Sequence, residues 1–314
     1  MITTRRAALA LLATPALAQS RPIRLVAPYA PGGVTDQLAR AWAEILAREL
    51  GQPVVVENRP GANTIIGTEA VSRAAPDGLT LLMASGASMV LNPLLYRRLP
   101  YDAERDLVTL GMLVETPLLM VAPPALGVAS AREFAELARR RALNSASVGV
   151  GNPIHLAAEL FRAAAGIELQ NVVYPGSAPA LAALLSGDVQ VMFDVVLTAL
   201  PFVREGRLRA LAVTTRERLA VLPDVPTVAE TYPGYEATTW FGLAAPRGLP
   251  AETETRLRGA IAVVQADAGL RSRFGALGLI MLPARDAPAI AATLASERAR
   301  WGDIIRARGI TLEQ

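Results

Sequence analysis

Cysteine is absent from the sequence. That excludes a disulfide framework and any thiolate metal site, so the fold must rest on its core alone. Lysine is also absent, and there is a single histidine, His155. One imidazole, with no acids clustered at ligand spacing, makes no metal site, and neither a metal nor a cofactor is expected. Aromatic residues are 5% of the chain and do not interleave with a basic run, so nothing points to nucleic acid. Past the N-terminus no stretch is long and apolar enough to span a bilayer. There is no repeat and no low-complexity tract.

What is present begins with an export signal. Arg5 and Arg6 form a basic head, Ala7 to Ala13 is apolar, and Ala16-Leu17-Ala18 is a small-residue cleavage site. Residues 1–18 are therefore expected to be removed, leaving Gln19 first and placing the protein in the periplasm. The paired arginines leave Sec and twin-arginine export both open. Removal takes away two arginines and no acid, so the formal charge falls from +3 to +1. The remaining charge gives no reason to expect a polyanion partner. About 300 residues can bury a large core and exceed one ordinary domain.

Residues 23–51 set the pattern for the rest. Ile23, Leu25 and Val26 read as a strand. Pro28 to Gly33 breaks the pattern. Leu38, Trp42, Ile45 and Leu46 then fall on one helical face, with Thr35 as expected N-cap and Gly51 as stop. A helix start exposes unpaired N–H groups and the positive end of the macrodipole. Gly32 and Gly33 carry no side chain to keep an anion away from them, although Pro-Gly-Gly also makes an ordinary turn.

The unit recurs. Val54–Asn58 is a strand, 68–75 a helix and 80–83 a buried strand running into a small polar turn at Ser85-Gly86-Ala87-Ser88. Strands alternating with helices imply a mixed, mostly parallel sheet, with ligands at the carboxyl ends of its strands. Tyr29 to Thr35 and Ser85 to Ser88 then share a rim. Leu118 to Ala122 reads as a crossing into a second lobe. There a strand at 146–150 leads through Gly151-Asn152-Pro153 into a helix at 154–165. Asn152 is the expected cap and Pro153 the first helical position. Another strand, 172–174, leads through Pro175-Gly176 to a helix at 179–185 capped by Ser177. Val189 to Phe193 ends at Asp194, and Thr238 to Ala244 is the return crossing. Helices at 251–265 and 287–306 cover the first lobe. The division expected is residues 19–120 with 243–314 as lobe 1, and 121–242 as lobe 2.

Three bare helix starts facing one another make a clamp that buries an anionic ligand between lobes. His155, Asp36 and Asp194 stand near the rims with two roles open to each. His155 orients its loop or touches ligand, Asp36 complements a helix dipole or binds, and Asp194 meets a ligand amine or anchors a loop. Trp42 and Phe161 fall on apolar helix faces and are expected in the core.

Along nearly the whole mature chain these motifs resemble one family. The residues are Pro31-Gly32-Gly33 with Asp36 and Arg40, Val55 to Ala62, Ala75-Pro76-Asp77-Gly78, Asn92 to Tyr96, His155 to Glu159, Tyr174 with Gly176 to Ala180, Gly187-Asp188-Val189, Leu222 to Thr227, and Trp240-Phe241-Gly242. The chain resembles the Bug-type solute-binding receptors of the tripartite tricarboxylate transporter class. The resemblance implies an α/β, two-lobed periplasmic binding-protein fold of the second type and capture of a small organic acid. It also implies delivery to membrane permease subunits. A monomer that does no chemistry on its ligand is expected. Contacts carried over by position are Tyr29, Gly32, Gly33, Thr35 and Asp36 from one lobe. Gly151, Asn152, His155, Gly176, Ser177 and Asp194 come from the other. Ser85 and Gly86 join them from the rim. Asn152 stands where similar proteins often have Ser, Pro175 where they often have Lys, and Asn63-Thr64 replaces a more usual glycine. Losing that lysine puts a di- or tricarboxylate ligand in question. Two rival roles remain: a ligand-sensing co-receptor for a membrane sensor kinase, and an enzyme reusing the fold around His155.

Overall fold

The computed structural model of the protein describes residues 21–308. The expected export signal and its cleavage site lie outside them. Strand and helix alternate as β1 (Ile23–Ala27), α1 (Val34–Leu50), β2 (Val54–Asn58), α2 (Ile65–Ser72) and β3 (Thr80–Ser85). A wide helical turn at 87–91 leads into α3 (Asn92–Leu95) and the 16-residue β4 (Leu107–Ala122). Next come α4 (Ala131–Ala138), β5 (Asn144–Ser147), α5 (Pro153–Ala165), β6 (Gln170–Val173) and α6 (Ser177–Ser186). They are followed by β7 (Val191–Val195), α7 (Val196–Arg204), β8 (Arg209–Val213) and α8 (Val228–Thr231). The chain returns along β9 (Thr238–Pro246), then forms α9 (Ala251–Ala266), α10 (Ala268–Gly275), β10 (Ile280–Met281) and α11 (Ala287–Arg308).

Two strands carry the chain between the halves. β1 lies between β2 and β3, all parallel, and β3 runs antiparallel to β9. β4 pairs antiparallel with β9 over 107–117, then changes partners and lies against β7 and β8 from Leu118 onward. Pro117 stands at that handover, where a missing N–H costs no ladder bond the second half needs. The far edge, β5 with β6 and β7, is parallel again. The resulting order is β2-β1-β3-β9-β4-β7-β5-β6, a parallel block at each end joined by antiparallel crossing strands. β4 and β9 approach closely: a Cβ on Gly242 would overlap the Gly111 carbonyl oxygen, so glycine is required there.

The helical faces read from the sequence are the buried ones. Leu38, Trp42 and Leu46 are fully buried under α1, and Gly51 ends the helix in left-handed geometry at φ 60°. Phe161 is likewise in the core, its ring 5.6 Å from Phe193 and 5.5 Å edge-on to Tyr232. Asn152 caps α5 and Pro153 is its first residue, as expected.

Other local expectations fail for identifiable reasons. Thr35 is not the N-cap of α1. Gly33 is, because the Asp36 carboxylate takes the Gly32 N–H and winds the turn two positions earlier. Ser177 does not cap α6. Its hydroxyl turns to Asp194, leaving Gly176 as cap. Helix α2 begins at Ile65 rather than Thr68, after Ala62, Asn63 and Thr64 have all taken positive φ. Ser85 to Ser88 is not a turn. It is the end of β3 and the start of a helical segment, closed by exchange between the two serines, each N–H meeting the other's hydroxyl.

Candidate functional site

A crevice of about 430 Å³ of atom-free space, partly open to solvent, lies between the halves. Its walls come from the loop after β1, the starts of α5 and α6, and β9. Six of the expected residues line it: Tyr29, Gly33 and Thr35 from one side, Asn152, Gly176 and Ser177 from the other.

Two of the three expected bare helix starts are open. At α1, Gly33 caps with no side chain, and among the described residues no acceptor meets the N–H of Val34 or Thr35. At α6, Gly176 caps with no side-chain bond, and the N–H groups of Ser177 and Ala178 are likewise free. The two starts abut. A Cβ on Gly176 would come within 3.3 Å of the Ala30 Cβ. Orphan donors and two positive dipole ends thus border one crevice.

The third start is closed by its own residues. Gly151 N–H donates to His155 Nδ1 at 2.9 Å, Asn152 N–H to the Gly149 carbonyl, and Ile154 N–H to the Asn152 side chain at 3.1 Å. Gly151 and His155 therefore orient the loop and do not line the crevice. Burial lowers the His155 pKa, partly opposed by Glu159, which keeps the ring neutral and able to accept the Gly151 N–H. Its Nε2 lies 3.8 Å from Glu159.

Gly32, Asp36, Ser85, Gly86 and Asp194 do not line the crevice either: Gly32 is exposed and the other four are buried. Gly32 needs its glycine, with φ at 83°, but its N–H is spent on Asp36 at 3.1 Å. Asp36 also holds Arg40, at 3.0 Å from Nε and 2.9 Å from Nη2. Burial pushes its pKa up, but hydrogen bonds from Arg40, Gly32 and Asn58 outweigh this and hold the carboxyl below the usual range. Ser85 is buried, and Gly86 packs by Thr239 and Trp240. Asp194 is fully buried, accepting from Ser177 Oγ at 2.7 Å and Thr198 Oγ1 at 2.6 Å. Burial pushes its pKa up to about 6 against those bonds.

Asn152 joins the halves. Its Nδ2 donates to the Tyr29 hydroxyl at 2.9 Å and to Asn63 Oδ1 at 3.3 Å. Burial raises the Tyr29 phenol to about 12, so it stays protonated. Asn63 crosses the same gap, donating to the Val150 carbonyl at 3.0 Å and to Asn92 Oδ1 at 2.8 Å. Sequence reasoning missed Asn63, along with Thr239 and Phe241 of β9, which line the crevice. The available signal for Asn63 was a Gly-Ala-Asn-Thr turn, since asparagine tolerates the left-handed region. Among the described residues no group of three or more potential metal ligands occurs, and no helix is long and apolar enough to cross a membrane.

Two strand-and-helix lobes, tied by two crossing strands and facing across a crevice, define a two-lobed solute-binding protein of the periplasmic type. The family model described as "Tripartite tricarboxylate transporter family receptor" matches residues 38–310. The chain belongs to that family. It is 38% identical over 291 residues to the "UPF0065 protein in tcbD-tcbE intergenic region" of Pseudomonas sp. (strain P51), covering 91% of this chain and 86% of that one. It is 36% identical over 309 residues to "Protein BugT" of Bordetella pertussis, covering 94% and 91%. Among solved structures it is similar to "R. palustris Rpa4515 with adipate", with TM-score 0.89 and 32% identity over 93% of this chain and 98% of that one. It is also similar to "MatC (Rpa3494) from Rhodopseudomonas palustris with bound malate", with TM-score 0.85 and 32% identity over 91% and 99%.

Proposed function

We propose that this protein is a periplasmic receptor that captures a small organic carboxylate between its lobes and hands it to membrane permease subunits. The observation that carries the reading is the meeting of two uncapped helix starts, at Gly33 and Gly176, inside the crevice. Backbone N–H groups there offer an oxyanion several donors without burying a charged side chain. The residues proposed to touch ligand are Tyr29, Gly33, Thr35, Asn152, Gly176 and Ser177. Gly32, Asp36, Gly151, His155 and Asp194 are proposed to hold those residues in place. Adipate and malate in the related structures support a carboxylate as the ligand class.

Catalysis finds no support in the surroundings of His155. Its Nδ1 is taken by a backbone N–H, and among the described residues no serine or threonine hydroxyl donates to it. The test is a thermal-shift panel of organic acids on the mature protein. One or more acids should raise the melting temperature with increasing concentration and emerge from incubation unchanged. A flat panel would overturn the receptor reading, and a new product would overturn the binding-only part of it.

A further inference from the structure

We propose that the ligand carries one carboxylate on an otherwise neutral, apolar body. This rests on the carboxylate-receptor reading above and narrows it. Much of the crevice wall is apolar: Ala30, Val34, Val148, Ile154, Val195 and Phe241. Its remaining side chains are uncharged, and no ionised group is among them. A second, larger chamber lies across Tyr29 and Val148, which line both, and opens toward Tyr96, Val173, Tyr174 and Pro175. It too is lined without a single arginine, aspartate, glutamate or histidine.

The ionisable groups nearby offer no help to a second anion. Arg40 is bound to Asp36. His155 is held neutral by burial and closes its own loop. Asp194 lies directly behind Ser177 and, when ionised, repels a further negative charge. The open N–H groups of the two helix starts both border this one crevice, where they can serve one carboxylate. A second carboxylate in this space would lose water and gain no counter-charge, whereas methylene or ring carbons would gain apolar contact.

Calorimetry on the mature protein at pH 7.5 tests this with two matched pairs, hexanoate against adipate and benzoate against phthalate. Each pair differs by one carboxylate. The expected result is that the monoacid of at least one pair binds ten or more times tighter than its diacid. If neither monoacid binds ten or more times tighter than its diacid, the inference is overturned and the carboxylate reading stands. No binding by any of the four overturns the inference as well, whereas only a flat thermal-shift panel overturns the wider reading. Pro175→Lys, at the wall of the outer chamber, should then move the adipate-to-hexanoate affinity ratio several-fold toward adipate. An unchanged ratio in a variant with native circular dichroism would contradict the claim that missing positive charge sets the preference.

Discussion

The Tyr29 hydroxyl accepts the Asn152 side-chain amide at 2.9 Å across the crevice, while the same asparagine caps helix α5 through its oxygen. One side chain thus ties the start of a helix to the opposite lobe, so the two variants should separate. Tyr29→Phe removes the bridge, with the Ser85 contact of the same hydroxyl, and should cost about 1 kcal/mol. Asn152→Ala removes the bridge, the Asn63 contact and the cap together and should cost about 1 kcal/mol more. Denaturant unfolding of both variants measures the difference, and equal losses would mean the cap and the Asn63 contact add nothing.

Gly33 lines the crevice, and its φ of −78° is open to any residue. A side chain there has space: a Cβ at this position would have only the Ala30 carbonyl oxygen within 4 Å, at 3.8 Å. Gly33→Val should therefore fold, losing about 1 kcal/mol through poorer capping, or roughly 2–4 °C in melting temperature for a chain of this size. Its methyl groups would stand before the Val34 and Thr35 N–H groups, and affinity for the acid found by thermal shift should fall at least tenfold. Unchanged affinity would move the site away from this turn.

Asp194 gives a pH signature. Its folded pKa of about 6 lies above the ordinary 3.8, so the folded state holds a proton that the unfolded state has released. The contribution to stability is fully present below about pH 4 and is lost as pH rises toward 6, by on the order of 3 kcal/mol. Asp194→Asn should flatten that part of the stability curve, as followed by urea unfolding at stepped pH. A wild-type curve without this slope would place the Asp194 proton elsewhere.

Asn63 sits in the middle of three consecutive residues with positive φ, at 50°. Its side chain makes the contacts to Val150, Asn92 and Asn152 that hold this backbone in place. Asn63→Ala keeps the strain and loses the contacts, whereas Asn63→Gly loses the contacts and relieves the strain. Alanine should be less stable than glycine here by about 1 kcal/mol. The reverse order would remove backbone strain from the account of this loop.

The strand-and-helix alternation, the two crossing strands and the burial of Trp42 and Phe161 were all legible, because period and glycine punctuation report local geometry. The caps were legible only where no other group competed. Asn152 caps as expected, but Ser177 is diverted to Asp194, which lies 17 positions away in sequence. Two helices, α7 and α10, left no readable mark. Val191 to Leu200 runs apolar from strand into helix with little polar punctuation, and α10 follows α9 after Asp267 alone. The site was half legible for the same reason. A glycine turn announces free N–H groups, but not that Asp36 will claim the one on Gly32 and His155 the one on Gly151.

The most direct measurement is a crystal structure of the mature protein with the acid that gives the largest thermal shift. The carboxylate oxygens should lie within about 3 Å of N–H groups at both helix starts, Val34 or Thr35 on one side and Ser177 or Ala178 on the other. A carboxylate held instead by an arginine side chain, or lying outside the space between Gly33 and Gly176, would contradict the account.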